Sequence, residues 1–203
     1  MDKLILDRAQ SAVIARDFGL AARLYKTLLK AEPDNAGILK ALGELNVKSG
    51  EDEKAMPYFE NMLTFDSHNV GAMNSLGGIY RRLKQYEKSI EVLNRALDEN
   101  MMTGLVNYTL GFTYKDMGNY DDAIDCFENV VSQNPSDVLA YNHLGSIYAA
   151  KKDYEKAIQS YRRGLQSDPN HPILQYNLGH AYEEQQNYQE AVKCYEMALK
   201  AKP

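Results

Sequence analysis

The stretch "AYNHLGSIYAAKKDYEKAIQSYRRGLQSDPN" (residues 140–170) is followed by "QYNLGHAYEEQQNYQEAVKCYEMALKAKP" (residues 175–203), and the two align without a gap. Their Leu-Gly pairs, Leu144-Gly145 and Leu178-Gly179, stand thirty-four positions apart. The same step carried back from Gly179 lands on Gly145, Gly111, Gly77 and Gly43, then on Ala9. From Ala191 it gives Ala157, Ala123, Ser89, Ala55 and Ala21. A third register holds only aromatics or Leu: Tyr195, Tyr161, Phe127, Leu93, Phe59 and Tyr25. Three registers kept through six copies define repeats at 2–35, 36–69, 70–103, 104–137, 138–171 and 172–203. A fixed period of this length marks a stacked-repeat architecture.

Each copy reads as two amphipathic helices. In the fifth, Leu144, Gly145 and Tyr148 lie on one helical face. Asp153 then precedes a second periodic run of Tyr154, Ala157, Ile158, Tyr161 and Leu165. Pro169 is placed to stop that helix, as Pro33, Pro135 and Pro203 are placed to stop theirs. A mid-helix Gly costs about 1 kcal/mol relative to Ala. Its recurrence therefore calls for close helix–helix packing, with the aromatic filling the adjoining gap. The expected domain is one array over residues 1–203.

The residues Leu144, Gly145, Tyr148, Ala157, Tyr161 and Pro169 resemble the tetratricopeptide repeat signature in length and pattern. The resemblance covers essentially the whole chain and is strongest in repeats four to six. Arg8 and Ala9 replace the Leu-Gly pair in repeat one, Asn46 replaces the Tyr in repeat two, and Met101 replaces the Pro in repeat three. The resemblance implies an all-α fold. It would be a right-handed superhelix, an α-solenoid of six helix-turn-helix units, with the first helices lining a concave groove.

Composition narrows the function. The chain has 203 residues and a net charge of −5, which disfavours wholesale binding to nucleic acid or an anionic membrane. No apolar run approaches the roughly 18 residues of a membrane span, and charges interrupt the first twenty residues, so a cytoplasmic location is expected. Cys126 and Cys194 occupy the same slot two repeats apart, where a disulfide is not expected. None of His68, His143, His171 and His180 pairs with Cys or carboxylate at ligand spacing, so no metal and no cofactor is predicted. There is no phosphate loop and no nucleophile elbow, and the chain reads as a non-enzyme. The sequon Asn107-Tyr108-Thr109 falls within a predicted helix and reads as accidental. Repeat four carries one Lys against six acids, while repeat five carries five bases against three. An acidic patch for a basic partner is one reading of this asymmetry, and a solvated helix face is the simpler one.

If Leu144, Gly145 and Tyr148 pack inside their unit, the opposite face of each first helix looks into the groove. In repeat four that face holds Leu105, Tyr108, Phe112 and Lys115, and in repeat five Leu139, Asn142, Ser146 and Ala149, with His143 beside it. Repeat six offers Ile173, Tyr176, His180 and Glu183 with Asn177 adjacent, and repeat three Asn74, Gly78 and Arg81. Some family members grip a terminal carboxylate of chaperone tails with Lys and Asn residues on these helices. Here Lys40 is correctly slotted, but Glu44, Ser75, Leu105 and Thr109 fill the other places, so that clamp is missing. The candidate peptide-binding groove is Asn74, Arg81, Tyr108, Phe112, Lys115, Asn142, His143, Ser146, Tyr176, Asn177 and His180. Tyr108, Phe112 and Tyr176 are the expected anchors for an apolar side chain, and Asn74, Asn142 and Asn177 the expected partners of a peptide backbone. His143 would add pH sensitivity near its ordinary pKa of about 6.5. The simpler alternative is that these aromatics pack between adjacent first helices.

The sequence thus predicts a protein–protein interaction scaffold that binds an extended peptide or a helix. The alternative is a regulatory or targeting segment of a larger enzyme, whose catalytic domain would lie outside this chain. RNA binding would need a basic groove, which only Arg81, Arg82 and Lys115 approach. Arrays usually finish on a helix with a polar outer face, because the last unit otherwise leaves an apolar edge open. None is legible here. The sequence therefore predicts a fragment of a longer protein or self-association through an uncapped C-terminal end, with Tyr195, Ala198 and Leu199 at the open edge.

Overall fold

Residues 3–201 are described by the structure, a computed structural model. Among them the periodic runs form twelve α-helices and no strand. Repeat one gives α1 (Lys3–Ile14) and α2 (Phe18–Ala31), and repeat two gives α3 (Ala36–Lys48) and α4 (Asp52–Phe65). Repeat three gives α5 (Val70–Arg82) and α6 (Tyr86–Asp98), and repeat four gives α7 (Thr103–Met117) and α8 (Tyr120–Gln133). Repeat five gives α9 (Val138–Ala150) and α10 (Tyr154–Ser167), and repeat six gives α11 (Pro172–Glu184) and α12 (Tyr188–Lys200). The fold is an all-α helical repeat. The helices fall into two compact units, Met1–Met102 and Thr103–Pro203, each of three helix pairs.

Within each pair the Gly register does what its cost implies. A Cβ added at Gly145 would collide with the Tyr161 ring, and one at Gly43 would lie 2.6 Å from the Phe59 ring. The same contact joins Gly77 to Leu93, Gly111 to Phe127 and Gly179 to Tyr195. Each glycine thus lets the ring or Leu of the second helix lie against the backbone of the first, and close-packed interiors leave no room for an extra methyl. Tyr161, Phe59 and Phe127 are buried in consequence.

The two helices of every repeat are joined by one recurring turn. Arg16, Gly50, Lys84, Gly118, Lys152 and Gln186, each one period after the last, all have positive φ, from 58° to 82°. The next amide reaches back five residues, as in Gln85 N to Tyr80 O at 2.8 Å and Asp153 N to Tyr148 O at 2.9 Å. The left-handed residue itself bonds three back, as Lys84 N does to Arg81 O at 2.9 Å. This is a Schellman stop, which satisfies carbonyls that the helix end would otherwise leave open. The residue that follows also opens the second helix: Asp17, Asp153 and Asn187 each accept an amide three residues on.

Between repeats the side chain of Asn35, Asn69, Asp137 or His171 caps the next first helix. Proline is not what stops the second helices in general. The second helix of repeat two ends at Phe65 with Ser67 in the proline slot, because Asp66 N closes on Met62 O and Asn69 then starts the next helix. The expected stop at Pro203 lies outside the described residues.

Candidate functional site

The eleven candidate groove residues divide between the two units. Asn74 and Arg81 lie half-buried on α5 of the first. The other nine lie on α7, α9 and α11 of the second.

On α7 and α9 the aromatic residues form a packed cluster around Phe127 of α8. Phe127 is fully buried, and the rings of Tyr108 and Phe112 stand edge-on to it at 5.7 and 5.5 Å. His143 lies 4.7 Å from Phe112 and 5.1 Å from Phe127, centroid to centroid. Tyr108 donates its hydroxyl to Asp137 Oδ1 at 2.5 Å, and the same oxygen accepts from Ala140 N at 2.9 Å. Burial, then the Asp137 carboxylate, raises the Tyr108 pKa well above the ordinary phenol value. Burial, then nearby Lys115, lowers the His143 pKa to about 4. His143 is thus neutral around pH 6.5, and the pH sensitivity expected there gives way to a titration in acid. Tyr108 and Phe112 are half-buried between neighbouring helices, the simpler of the two readings available from sequence.

Two of the candidate amides bond to each other. Asn177 Nδ2 donates to Asn142 Oδ1 at 2.8 Å, which ties α11 to α9. That bond uses one donor and one acceptor of the pair, and Asn142 Nδ2 and Asn177 Oδ1 are a further donor and acceptor of the two amides. Ser146 donates its hydroxyl to His143 O at 2.9 Å, within its own helix. His180 is exposed and Lys115 half-buried.

The exposed apolar surface lies elsewhere on the same helices. Leu105, Leu139 and Ile173 occupy one slot of α7, α9 and α11, and they are 47%, 56% and 56% exposed. Their counterparts in the first unit are Lys3, Gly37 and Gly71, so this apolar row belongs to the second unit alone. Tyr176, one turn along from Ile173, is 57% exposed and leans on Tyr195 with the ring centroids 5.6 Å apart.

Beside it opens a trough of about 610 Å³. Pro172, Ile173 and Tyr176 of α11 and Tyr195, Ala198 and Leu199 of α12 line it, with Glu183 as its one acid. Tyr195 donates its hydroxyl to Glu183 Oε2 at 2.6 Å, which holds the carboxylate over the trough. The predicted edge residues Tyr195, Ala198 and Leu199 are therefore together. The sequence pattern assigned Ile173, Tyr176 and Glu183 of the α11 wall to the groove face of repeat six and not to this edge; stepping the wall back by one period gives Val138, Leu139, Asn142 and Ala149. Among the described residues no helix is long and apolar enough to cross a membrane.

Comparison with known proteins is consistent with this architecture. Residues 6–70, 108–172 and 148–203 match tetratricopeptide repeat families. Residues 48–130 match the family of anaphase-promoting complex, cyclosome, subunit 3. The crystal structure of MamA superposes with a TM-score of 0.71 at 25% identity, covering 79% of this chain and 94% of that one. YrrB, described as a repeat protein with an unusual peptide-binding site, superposes with a TM-score of 0.67 at 22% identity, covering 90% and 94%. A repeat protein from Parabacteroides merdae gives a TM-score of 0.76 at 19% identity, covering 99% of this chain and 78% of its own. No curated protein matched.

Proposed function

The chain belongs to the tetratricopeptide repeat family, and from that premise we propose a non-enzymatic scaffold that binds an extended segment of a partner protein. The observation that carries this reading is the row of Leu105, Leu139 and Ile173, exposed at one slot of three successive first helices. Packed helices stand on the order of 10 Å apart. An extended chain in the polyproline-II conformation covers that distance in one turn of about three residues, which returns every third side chain to the same face. The row therefore suits a peptide with an apolar side chain at every third position. Tyr176 supplies an aromatic anchor at one end, and the second donor and acceptor of the Asn142–Asn177 pair suit a peptide group. Tyr108, Phe112 and His143 act as the packed floor, with Lys115, Ser146 and His180 at the rim. Asn74 and Arg81 belong to a surface of the first unit. The peptide-binding site reported for YrrB and the match to a complex subunit agree with an interaction role.

Panning a phage-displayed peptide library on the folded protein should enrich sequences with that apolar spacing. Leu139→Asp should weaken a selected peptide about thirtyfold, the effect of losing an interface anchor. Failure to enrich any such peptide, or undiminished binding by a stably folded Leu139→Asp variant, overturns the reading. Self-association through the C-terminal trough is a second reading, supported by the apolar lining of Ile173, Tyr176, Ala198 and Leu199.

A further inference from the structure

The stacking surface between consecutive repeats is built from slots that recur once per period, so each internal junction can be compared with the outer faces of the first and last repeats. Three pairs of slots matter.

In the first, a residue of a second helix meets a residue of the next first helix. At the α10–α11 junction Gly164 receives Leu174, whose Cδ2 an added Cβ would strike. The same slots hold Met62 and Ala72, then Val130 and Ala140, one partner large where the other is small, whereas the first junction pairs Leu28 with Ile38. Ala198 is the last member of the first slot and Leu4 the first member of the second. Ile38, Ala72, Val106, Ala140 and Leu174 are buried in that second slot, whereas Leu4 is 68% exposed. Next to Ala198, Leu199 is 71% exposed at the lip of the trough.

The second pair carries charge. Leu42, Leu76, Leu110, Leu144 and Leu178 fill one slot and are all buried, but repeat one places an exposed Arg8 there. Its partner slot holds Val13 and Ala149, which pack against the clusters containing Leu42 and Leu178. In repeat six that partner slot holds Glu183, the one acid of the trough. Val47, Arg81 and Lys115 fill that partner slot in repeats two to four, so an acid enters it in the last repeat alone, opposite in charge to Arg8.

The third pair is polar or apolar by turns. Leu6 and Ala41 pack on one cluster, Tyr108 and His143 lie edge-on at 6.3 Å, and Asn142 and Asn177 share a hydrogen bond of 2.8 Å. In the last and first repeats the same slots hold the exposed Tyr176, a hydroxyl donor, and Asp7, an acceptor.

We propose that the trough between α11 and α12 receives α1 of a second copy of this chain, so that copies stack head to tail and continue the repeat step. Leu4 of one copy sits on Ala198 of the other, Arg8 faces Glu183, and the Tyr176 hydroxyl donates to Asp7. The two surfaces differ, so the contact is heterologous and each junction leaves a free end on either side. The inference deepens the self-association reading, and because Ile173 and Tyr176 belong to both surfaces a stacked copy and a peptide compete at that end.

Sedimentation equilibrium tests it. The wild-type chain should show a weight-average mass that climbs above 23.0 kDa with concentration. Leu4→Asp blocks the head and Leu199→Asp blocks the tail, so each variant alone should remain a monomer. Their mixture should form a one-to-one dimer, because one intact head then meets one intact tail. Arg8→Glu and Glu183→Arg should each weaken association about tenfold, and the two together in one chain should restore it. Both leucines are exposed, so folding should survive; Leu4→Gln replaces Leu4→Asp if the melting midpoint falls. A wild-type mass fixed at the monomer overturns self-association altogether. Association that persists in Leu4→Asp, or no dimer in the mixture, overturns the head-to-tail arrangement while leaving a tail-to-tail contact through the trough.

Discussion

Replacing the left-handed turn residues with glycine should stabilise this protein. Arg16, Lys84, Lys152 and Gln186 sit at φ of 58°, 59°, 62° and 59°, in the slot where repeats two and four place Gly50 and Gly118. All four side chains are exposed, so their removal forfeits little packing. A non-glycine residue in this conformation costs about 1 to 2 kcal/mol through the clash of Cβ with the following carbonyl. Glycine relieves that cost but brings a looser unfolded chain, a penalty of about 0.5 to 1 kcal/mol. The net gain is about 0.5 to 1 kcal/mol per site. The four positions lie in separate repeats and share no partner, so a quadruple variant should gain about 2 to 4 kcal/mol. Urea unfolding followed by far-UV circular dichroism reads this as a higher midpoint at unchanged slope. The converse Gly118→Ala, at φ 82° with open space around its Cβ, should lower the stability by about 1 kcal/mol, read as a lower midpoint, because only the backbone is affected. A lower midpoint for Lys152→Gly, or no loss in Gly118→Ala, refutes the turn argument.

The glycine of the packing register should respond in the opposite way. Gly145→Ala gains about 1 kcal/mol of helix propensity but drives a methyl into buried Tyr161, an overpacking cost of about 1 to 3 kcal/mol, for a net loss of up to about 2 kcal/mol. In a Tyr161→Ala background the same change should be neutral or favourable, and a loss that persists there refutes the contact. His143 gives a prediction in pH. Its folded pKa lies below the unfolded value, so the unfolded chain takes up the proton first as the solution is acidified. The contribution is complete above about pH 6.5 and is lost as pH falls toward 4, by about 1 to 2 kcal/mol once solvent screening of a half-buried ring is allowed for. His143→Phe keeps a ring against Phe112 and Phe127 and should flatten the acid limb of the stability curve; an unchanged limb assigns that titration elsewhere.

The period alone determined the helix pairs and the Gly–aromatic contact. A recurring Gly that costs helix stability has to be repaid by packing, and the large residue sixteen positions later, at Tyr161 or Phe59, was the available partner. The grouping of Tyr195, Ala198 and Leu199 was legible for the same reason, since the slots of a stacking surface recur in the last repeat as in the others. The left-handed turn left only a faint trace in Gly50 and Gly118, because one residue in αL is tolerated by Lys, Arg or Gln when the hydrogen bonds around it are made. What only the tertiary structure decided was the share of each polar or aromatic group taken up inside the protein. Whether Asn142 bonds to Asn177 or faces outward, and whether His143 is solvated or wedged beside Phe127, depends on side chains remote in sequence and carried by other helices. Helical periodicity places a residue on a face. The neighbouring helix then determines whether that face remains exposed, as at Leu139 and Tyr176, or is filled, as at Tyr108 and Phe112.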